Sequence, residues 1–216
     1  MYPVCLDISD KLCVVVGGGR VAERKVLGLL AAGAQVLVIS PELTDSLAGM
    51  AENSSIEWLA RAYQQGDLAG AVLVFAATDS REVQEAVVLE ATRGDLLVNV
   101  IDEPEKCTFQ VPAVVRRGDL ILAVSTGGRS PAVAAMVRRR LAEDFGEEYG
   151  LLLELISRIR EHVLSDDRDC AARKILFQNV LHDDIVLWIK KGRSDLLRSH
   201  LRAVLGPDVD LDTIMK

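Results

Sequence analysis

The sequence predicts an α/β fold: a doubly wound parallel sheet, then a small α+β region, then a helical C-terminal domain. Three observations predict it. Short apolar runs alternate with helical patterns through the first half of the chain. Two strand-like runs then follow one another with only a polar turn between them, and from Glu148 onward the apolar spacing is helical throughout. Alternation of the first kind is the mark of a parallel sheet covered by helices on both faces.

Leu12 to Val16 is nearly continuous in apolar residues, as a strand buried on both faces requires. Gly17-Gly18-Gly19 interrupts it. Val21 to Ala32 carries Val21, Ala22, Val26, Leu29 and Leu30 at helical spacing, and Gly33 supplies the stop. Gln35 to Ile39 is a second apolar strand, closed by Ser40-Pro41, which completes a right-handed βαβ unit. Strands over Ile56–Ala60 and Val72–Ala76, a helix over Ser80–Arg93 and a strand over Leu96–Ile101 continue the pattern. Thr108–Val115 and Leu120–Val124 then read as a hairpin turning at Arg116-Arg117-Gly118-Asp119. A helix follows, with Ser130 as N-cap and Pro131 in first position, running to about Asp144. The helical remainder breaks at Ser165-Asp166-Asp167 and at Gly192-Arg193-Ser194. The domains expected are therefore 1–112, 113–147 and 148–216.

Composition excludes several classes. With 216 residues, 50% hydrophobic and 26% charged, the chain has ample core and is not disordered. No apolar run reaches the ~20 residues a membrane helix needs. Met1 to Asp7 has neither the basic region nor the apolar core of a signal peptide, so a cytoplasmic location is expected. Cys5, Cys13, Cys107 and Cys170 show no CxxC spacing and read as reduced thiols. His162, His182 and His200 stand at no i, i+4 spacing, so a histidine-built metal site finds no support. A net charge of −7 argues against a nucleic-acid partner. That whole charge sits in residues 1–150, whereas 151–216 are neutral.

Gly17-x-Gly19-x-x-Ala22 fits the dinucleotide fingerprint, and its place between a strand and a helix marks a Rossmann-type sheet. The pyrophosphate would lie at the helix N-terminus, against backbone N–H groups. Ser40-Pro41-Glu42 ends the second strand, where Glu42 is placed for the ribose hydroxyls; the lack of an arginine there favours NAD over NADP. Ala76-Ala77-Thr78-Asp79 ends a central strand, and its small residues suit either a nicotinamide ribose or plain close packing before a helix N-cap. Asp102 follows an apolar strand at the sheet's carboxyl edge, as a general base if partly shielded or as a solvated turn acid. Ser125-Thr126-Gly127-Gly128-Arg129-Ser130-Pro131 gathers hydroxyls, a guanidinium and a helix N-terminus into an anion site. The Leu151–Leu153 and Val186–Ile189 stripes read as core.

These segments, in this order, resemble the precorrin-2 dehydrogenase/sirohydrochlorin ferrochelatase family, which includes the N-terminal half of bifunctional siroheme synthase. The match runs through Val14–Lys25, Ala76–Asp79, Asn99–Asp102 and Ala123–Pro131, covering roughly residues 1–145. The resemblance implies NAD-dependent oxidation of precorrin-2 to sirohydrochlorin on the way to siroheme, with ferrous iron inserted by the same site in some members. It implies a homodimer with a dimerisation region at 113–147. Asp102 falls on the family's catalytic aspartate, and Arg20, Val21, Pro41 and Glu42 fall on its NAD contacts. Thr126 stands where siroheme synthases carry serine. The substrate's eight carboxylates would need cationic anchors on an acidic protein, with Arg129, Arg116 and Arg117 as candidates.

Two other readings compete: another NAD-dependent dehydrogenase acting on a small acid, and an NAD-sensing module such as the gating domains of potassium transport systems. A sensing module has no use for Asp102 or for the hydroxyl-Gly-Gly-Arg-Ser-Pro segment.

Overall fold

β1 (Leu12–Val16) is buried from Cys13 to Val16, and it sits at the centre of a five-stranded parallel sheet. The structure, a computed structural model, describes residues 1–164, 170–207 and 209–215. The chain divides into two units, Met1–Val111 and Pro112–Lys216.

In the first unit β1 is followed by α1 (Arg20–Leu30), β2 (Gln35–Ile39), α2 (Asp45–Glu52), β3 (Glu57–Leu59), β4 (Leu73–Ala76), α3 (Arg81–Arg93) and β5 (Leu97–Val100). The strand order is β3-β2-β1-β4-β5, all parallel. Successive side chains of β1 serve opposite faces, as strand geometry demands. Cys13 and Val15 pack with Val26 and Leu29 of α1 and Leu47 of α2. Val14 and Val16 pack with Val87 and Ala91 of α3. This double burial explains the unbroken apolar runs, and it also pushes the Cys13 thiol up to about 11.

Expected and observed boundaries coincide at β1 and β2. α2 is an element the apolar pattern did not announce: Asp45, Ser46 and Gly49 are weak helix formers, and only Leu47 is buried. Its signal was the cap, since the Thr44 hydroxyl accepts the Leu47 N–H at 3.3 Å.

The second unit opens with an antiparallel pair, β6 (Ala113–Arg117) and β7 (Leu120–Val124), followed by α4 (Pro131–Asp144). The hairpin turns more tightly than the expected Arg116-Arg117-Gly118-Asp119. The turn is only Gly118-Asp119, with Gly118 at φ +54 in its first place, where two-residue loops of the II′ kind put glycine. Arg116 and Arg117 belong to the strand, because the Arg117 guanidinium donates to the carbonyls of Phe145 at 2.9 Å and Ala142 at 3.0 Å, closing the end of α4. Residues 108–112, read as strand, are not in β6. Ser130 caps α4 as expected, its hydroxyl accepting the Val133 N–H at 3.2 Å.

The helical remainder comprises α5 (Glu148–Leu164), α6 (Cys170–Val180), α7 (Ile185–Lys190), α8 (Ser194–Leu205) and α9 (Leu211–Ile214). Leu152, Leu155, Ile159, Val180, Leu197 and Leu201 form its core. Leu151, Leu153 and Leu187 are exposed, so the two apolar stripes are core on one face only. The expected break at 165–167 lies outside the described residues. His182 stacks on Trp188 with ring centroids 4.8 Å apart and meets His200 at 5.2 Å, a grouping invisible in their sequence spacing. Among the described residues no helix is long and apolar enough to cross a membrane.

Candidate active site at the carboxyl edge of the sheet

The register places four strand ends level. Val16 pairs with Ile39 and with Ala76, and Ala76 pairs with Val100. The segments leaving those four residues carry Gly17, Gly19, Arg20 and Val21; Ser40, Pro41 and Glu42; Thr78 and Asp79; and Asp102. Nine cofactor candidates and the candidate base therefore share one sheet edge. The chain winds outward in both directions from β1 and β4, and that reversal of strand order is where open α/β sheets bind ligands.

The glycine loop is shaped by contacts. Gly17 donates its N–H to the Ile39 carbonyl at 2.9 Å and has φ +123. A Cβ there would stand 2.2 Å from the Ala77 carbonyl oxygen, so only glycine fits. Gly18, a free position in the fingerprint, is just as constrained, because its Cβ would meet the Glu42 carbonyl oxygen at 2.0 Å. Gly19 is different. It is the N-cap of α1, and a Cβ added to it meets no protein atom within 4 Å. No side chain caps α1, so its first N–H groups are left for an external acceptor. Open space beside an uncapped helix start fits a dinucleotide pyrophosphate.

The β2–α2 loop is laced to this turn. The Thr44 N–H donates to the Gly18 carbonyl at 3.0 Å, and the Thr44 hydroxyl donates to Glu23 of α1 at 2.7 Å. Ser40 is buried and accepts the Trp58 indole N–H on its carbonyl at 2.9 Å, whereas Pro41 and Glu42 are exposed. Neither Thr44 nor Glu23 was singled out from the sequence, although Thr44 had a capping signal. On the next segment the Thr78 carbonyl accepts the Gln84 amide at 2.7 Å, and Ser80 rather than Thr78 caps α3. Thr78 is half-buried and Asp79 is exposed.

Asp102 stands in a turn between β5 and a short 3-10 turn at Pro104–Lys106, with φ +59. Left-handed backbone is uncommon for a residue with a side chain and persists only where surrounding structure enforces it. Asp102 is exposed, as in the solvated-turn reading of its sequence, and the protein does not shield its carboxylate. On α1, Lys25 lays its ammonium 5.0 Å over the Phe75 ring. Burial, with Arg24 adding to it, lowers the Lys25 pKa, and Cys107 acts in the opposite sense.

The second unit carries the predicted anion loop. The Ser125 hydroxyl accepts the Gly127 N–H at 3.2 Å. Thr126 bonds Ser130 twice, accepting its N–H at 3.1 Å and donating to its carbonyl at 3.2 Å, so this hydroxyl closes the loop. Gly128 and Arg129 are exposed, and among the described residues the Arg129 guanidinium has no acidic partner. Arg117 is spent on α4 and drops out as a substrate anchor; the Arg116 side chain is exposed.

Comparison with known proteins agrees with this geometry. Residues 4–113 match a family model described as putative NAD(P)-binding, and residues 117–143 match one described as sirohaem biosynthesis protein central. The siroheme synthase of Methylobacillus flagellatus is 40% identical over 204 residues, 94% of this chain and 44% of that protein. That of Thioalkalivibrio sulfidiphilus is 36% identical over 97% of this chain and 43% of its own length. The chain thus spans less than half the length of these relatives. Among solved structures, SirC, precorrin-2 dehydrogenase, superposes with a TM-score of 0.80 at 25% identity, covering 94% of this chain and 98% of that one.

Proposed function

The chain belongs to the putative NAD(P)-binding family, and we propose that it is an NAD-dependent dehydrogenase that oxidises precorrin-2 to sirohydrochlorin in siroheme biosynthesis. The observation that carries this reading is the shared sheet edge, where an open, uncapped glycine loop and the left-handed Asp102 both end strands of one sheet. NAD, when bound, supplies the hydride acceptor. Gly17 and Gly18 hold the loop against β4 and Glu42, while Gly19, Arg20 and Val21 face the pyrophosphate. Ser40, Pro41 and Glu42 bound the ribose, and Thr78 and Asp79 line the path towards the reacting ring. Asp102 accepts the proton that must leave the macrocycle with the hydride. Ser125, Thr126, Gly127, Gly128 and Arg129 receive substrate carboxylates. Supplying the protein with precorrin-2 and NAD tests the oxidation by its spectrum, and a parallel arm with sirohydrochlorin and Fe2+ tests the iron insertion that the same site performs in some members of the family it resembles. Turnover of a small acid instead would overturn the reading.

Residues 1–112 would serve as the NAD-binding domain, 113–147 as the dimerisation region and 148–216 as the helical domain, in a cytoplasmic enzyme. Light scattering is expected to show a homodimer. A two-stranded sheet is marginal alone, and among the described residues no third strand joins β6 and β7. Ile121, Val133 and Met136 are exposed on this region. A stable monomer at micromolar concentration would contradict the assembly.

Arg129→Ala is expected to weaken precorrin-2 binding roughly tenfold, the loss of about one charge-assisted hydrogen bond, and to leave NAD binding unchanged. The guanidinium is exposed, so the difference should shrink as salt rises. Equal weakening of both ligands would move Arg129 to the cofactor.

A further inference from the structure

Cys107 holds an unusual set of partners. Its sulfur accepts the Val100 N–H at 3.2 Å, and it lies 3.3 Å from the Val100 carbonyl and 3.4 Å from the Glu103 carbonyl. The Asn99 amide stands 3.6 Å away and also donates to the Phe109 carbonyl at 3.1 Å. β5 is an edge strand, so the outward N–H and C=O of Val100 have no strand to pair with. The thiol takes that strand's place. In doing so it bonds both flanks of the Val100–Glu103 segment, whose middle is Asp102 at φ +59.

We propose that Cys107 is a positioning residue for Asp102, its thiol tying the two flanks of the loop that holds this carboxylate in left-handed backbone. The inference rests on the reading of Asp102 as proton acceptor. Thr108 makes the role separable from strand stability. Its hydroxyl accepts the Val98 N–H at 2.8 Å and its N–H donates to the Val98 carbonyl at 2.9 Å, so β5 stays anchored without the thiol. Loss of Cys107 therefore removes the thiol's hold on Val100 and Glu103. The Ile101 N–H on the Ala76 carbonyl at 3.1 Å and the Lys106 N–H on the Glu103 carbonyl at 3.0 Å still keep the loop attached, so Asp102 shifts and is not released.

The test is a double-mutant cycle in the full chain, with kcat, KM for NAD and thermal midpoint read for each variant. Cys107→Ala should lower kcat for precorrin-2 oxidation about tenfold, less than the ~100-fold that a displacement of ~1 Å at a reacting group can cost. KM for NAD and the thermal midpoint should stay at wild-type values. Cys107→Ser keeps a donor and acceptor in place and should recover most of kcat. In an Asp102→Asn background Cys107→Ala should change nothing, because the two residues act as one unit. A tenfold loss that persists in that background overturns the proposal, as does a parallel rise in KM for NAD with a fall in midpoint. Normal kcat for Cys107→Ala beside a slow Asp102→Asn overturns it and leaves the reading of Asp102 standing. Normal turnover by Asp102→Asn overturns both.

Discussion

Asp102→Asn is expected to turn over precorrin-2 roughly 10²- to 10⁴-fold more slowly than the wild type, the usual effect of removing a general base, while binding NAD as tightly. Asparagine keeps the shape of the side chain and tolerates the left-handed backbone at φ +59, so the loop should survive the exchange. What is lost is the capacity to accept a proton. All three histidines of the chain lie beyond residue 160, so the segments that leave these strand ends carry no imidazole to take over. Of the other carboxylates at the edge, Glu42 leaves β2, on the opposite side of β1 from β4, and Asp79 leaves β4 just before the Ser80 cap. Stopped-flow oxidation with saturating NAD, next to calorimetry of NAD binding, checks both halves of the expectation. Near-normal turnover would make Asp102 a turn residue chosen for its backbone.

Gly19→Val should reduce NAD affinity by roughly 10²- to 10⁴-fold, as expected when two backbone hydrogen bonds to phosphate, each worth roughly 1.5–3 kcal/mol, are displaced by a branched side chain. The fold should bear the change. Gly19 has φ −84, an ordinary value, and its Cβ would enter space with no protein atom within 4 Å. Valine is a poor N-cap, which costs about 1 kcal/mol of stability and no more. Gly17→Ala is the control: its Cβ would strike the Ala77 carbonyl at 2.2 Å in a backbone at φ +123, so that variant should fail by unfolding. A folded Gly19→Val chain with unchanged NAD binding would place the pyrophosphate elsewhere.

The parts of this account that the sequence revealed are those where burial acts on many residues at once. β1 and β2 are apolar on both faces, and their limits at Leu12–Val16 and Gln35–Ile39 could be read directly. The candidate residues at the strand ends followed from the same reading, because a parallel sheet puts every such loop on one edge. Single-residue contacts were harder. α2 buries only Leu47 and is announced by a cap rather than a period. Arg117 looked like turn polarity because nothing local shows that its guanidinium reaches Ala142 and Phe145, 25 and 28 residues away. Gly18 stands in the free position of its motif, and its constraint comes from Glu42 across the loop. The thiol bonds of Cys107 depend on a tight turn whose left-handed residue carries no sequence mark, whereas the exposure of Asp102 is that of the turn acid the sequence offered. Aspartate enters that conformation more readily than most residues, and Asp10 and Asp95 do so as well, so residue type alone does not single out Asp102.

The central claim is that one sheet edge passes a hydride from precorrin-2 to NAD. Its most direct test is anaerobic mixing of the wild-type chain with precorrin-2 and NAD, following nicotinamide reduction and the tetrapyrrole spectrum in the same cell. Reduced nicotinamide and sirohydrochlorin are expected to rise together, in equal amounts and at one rate. An unchanged tetrapyrrole spectrum with NAD bound would contradict it.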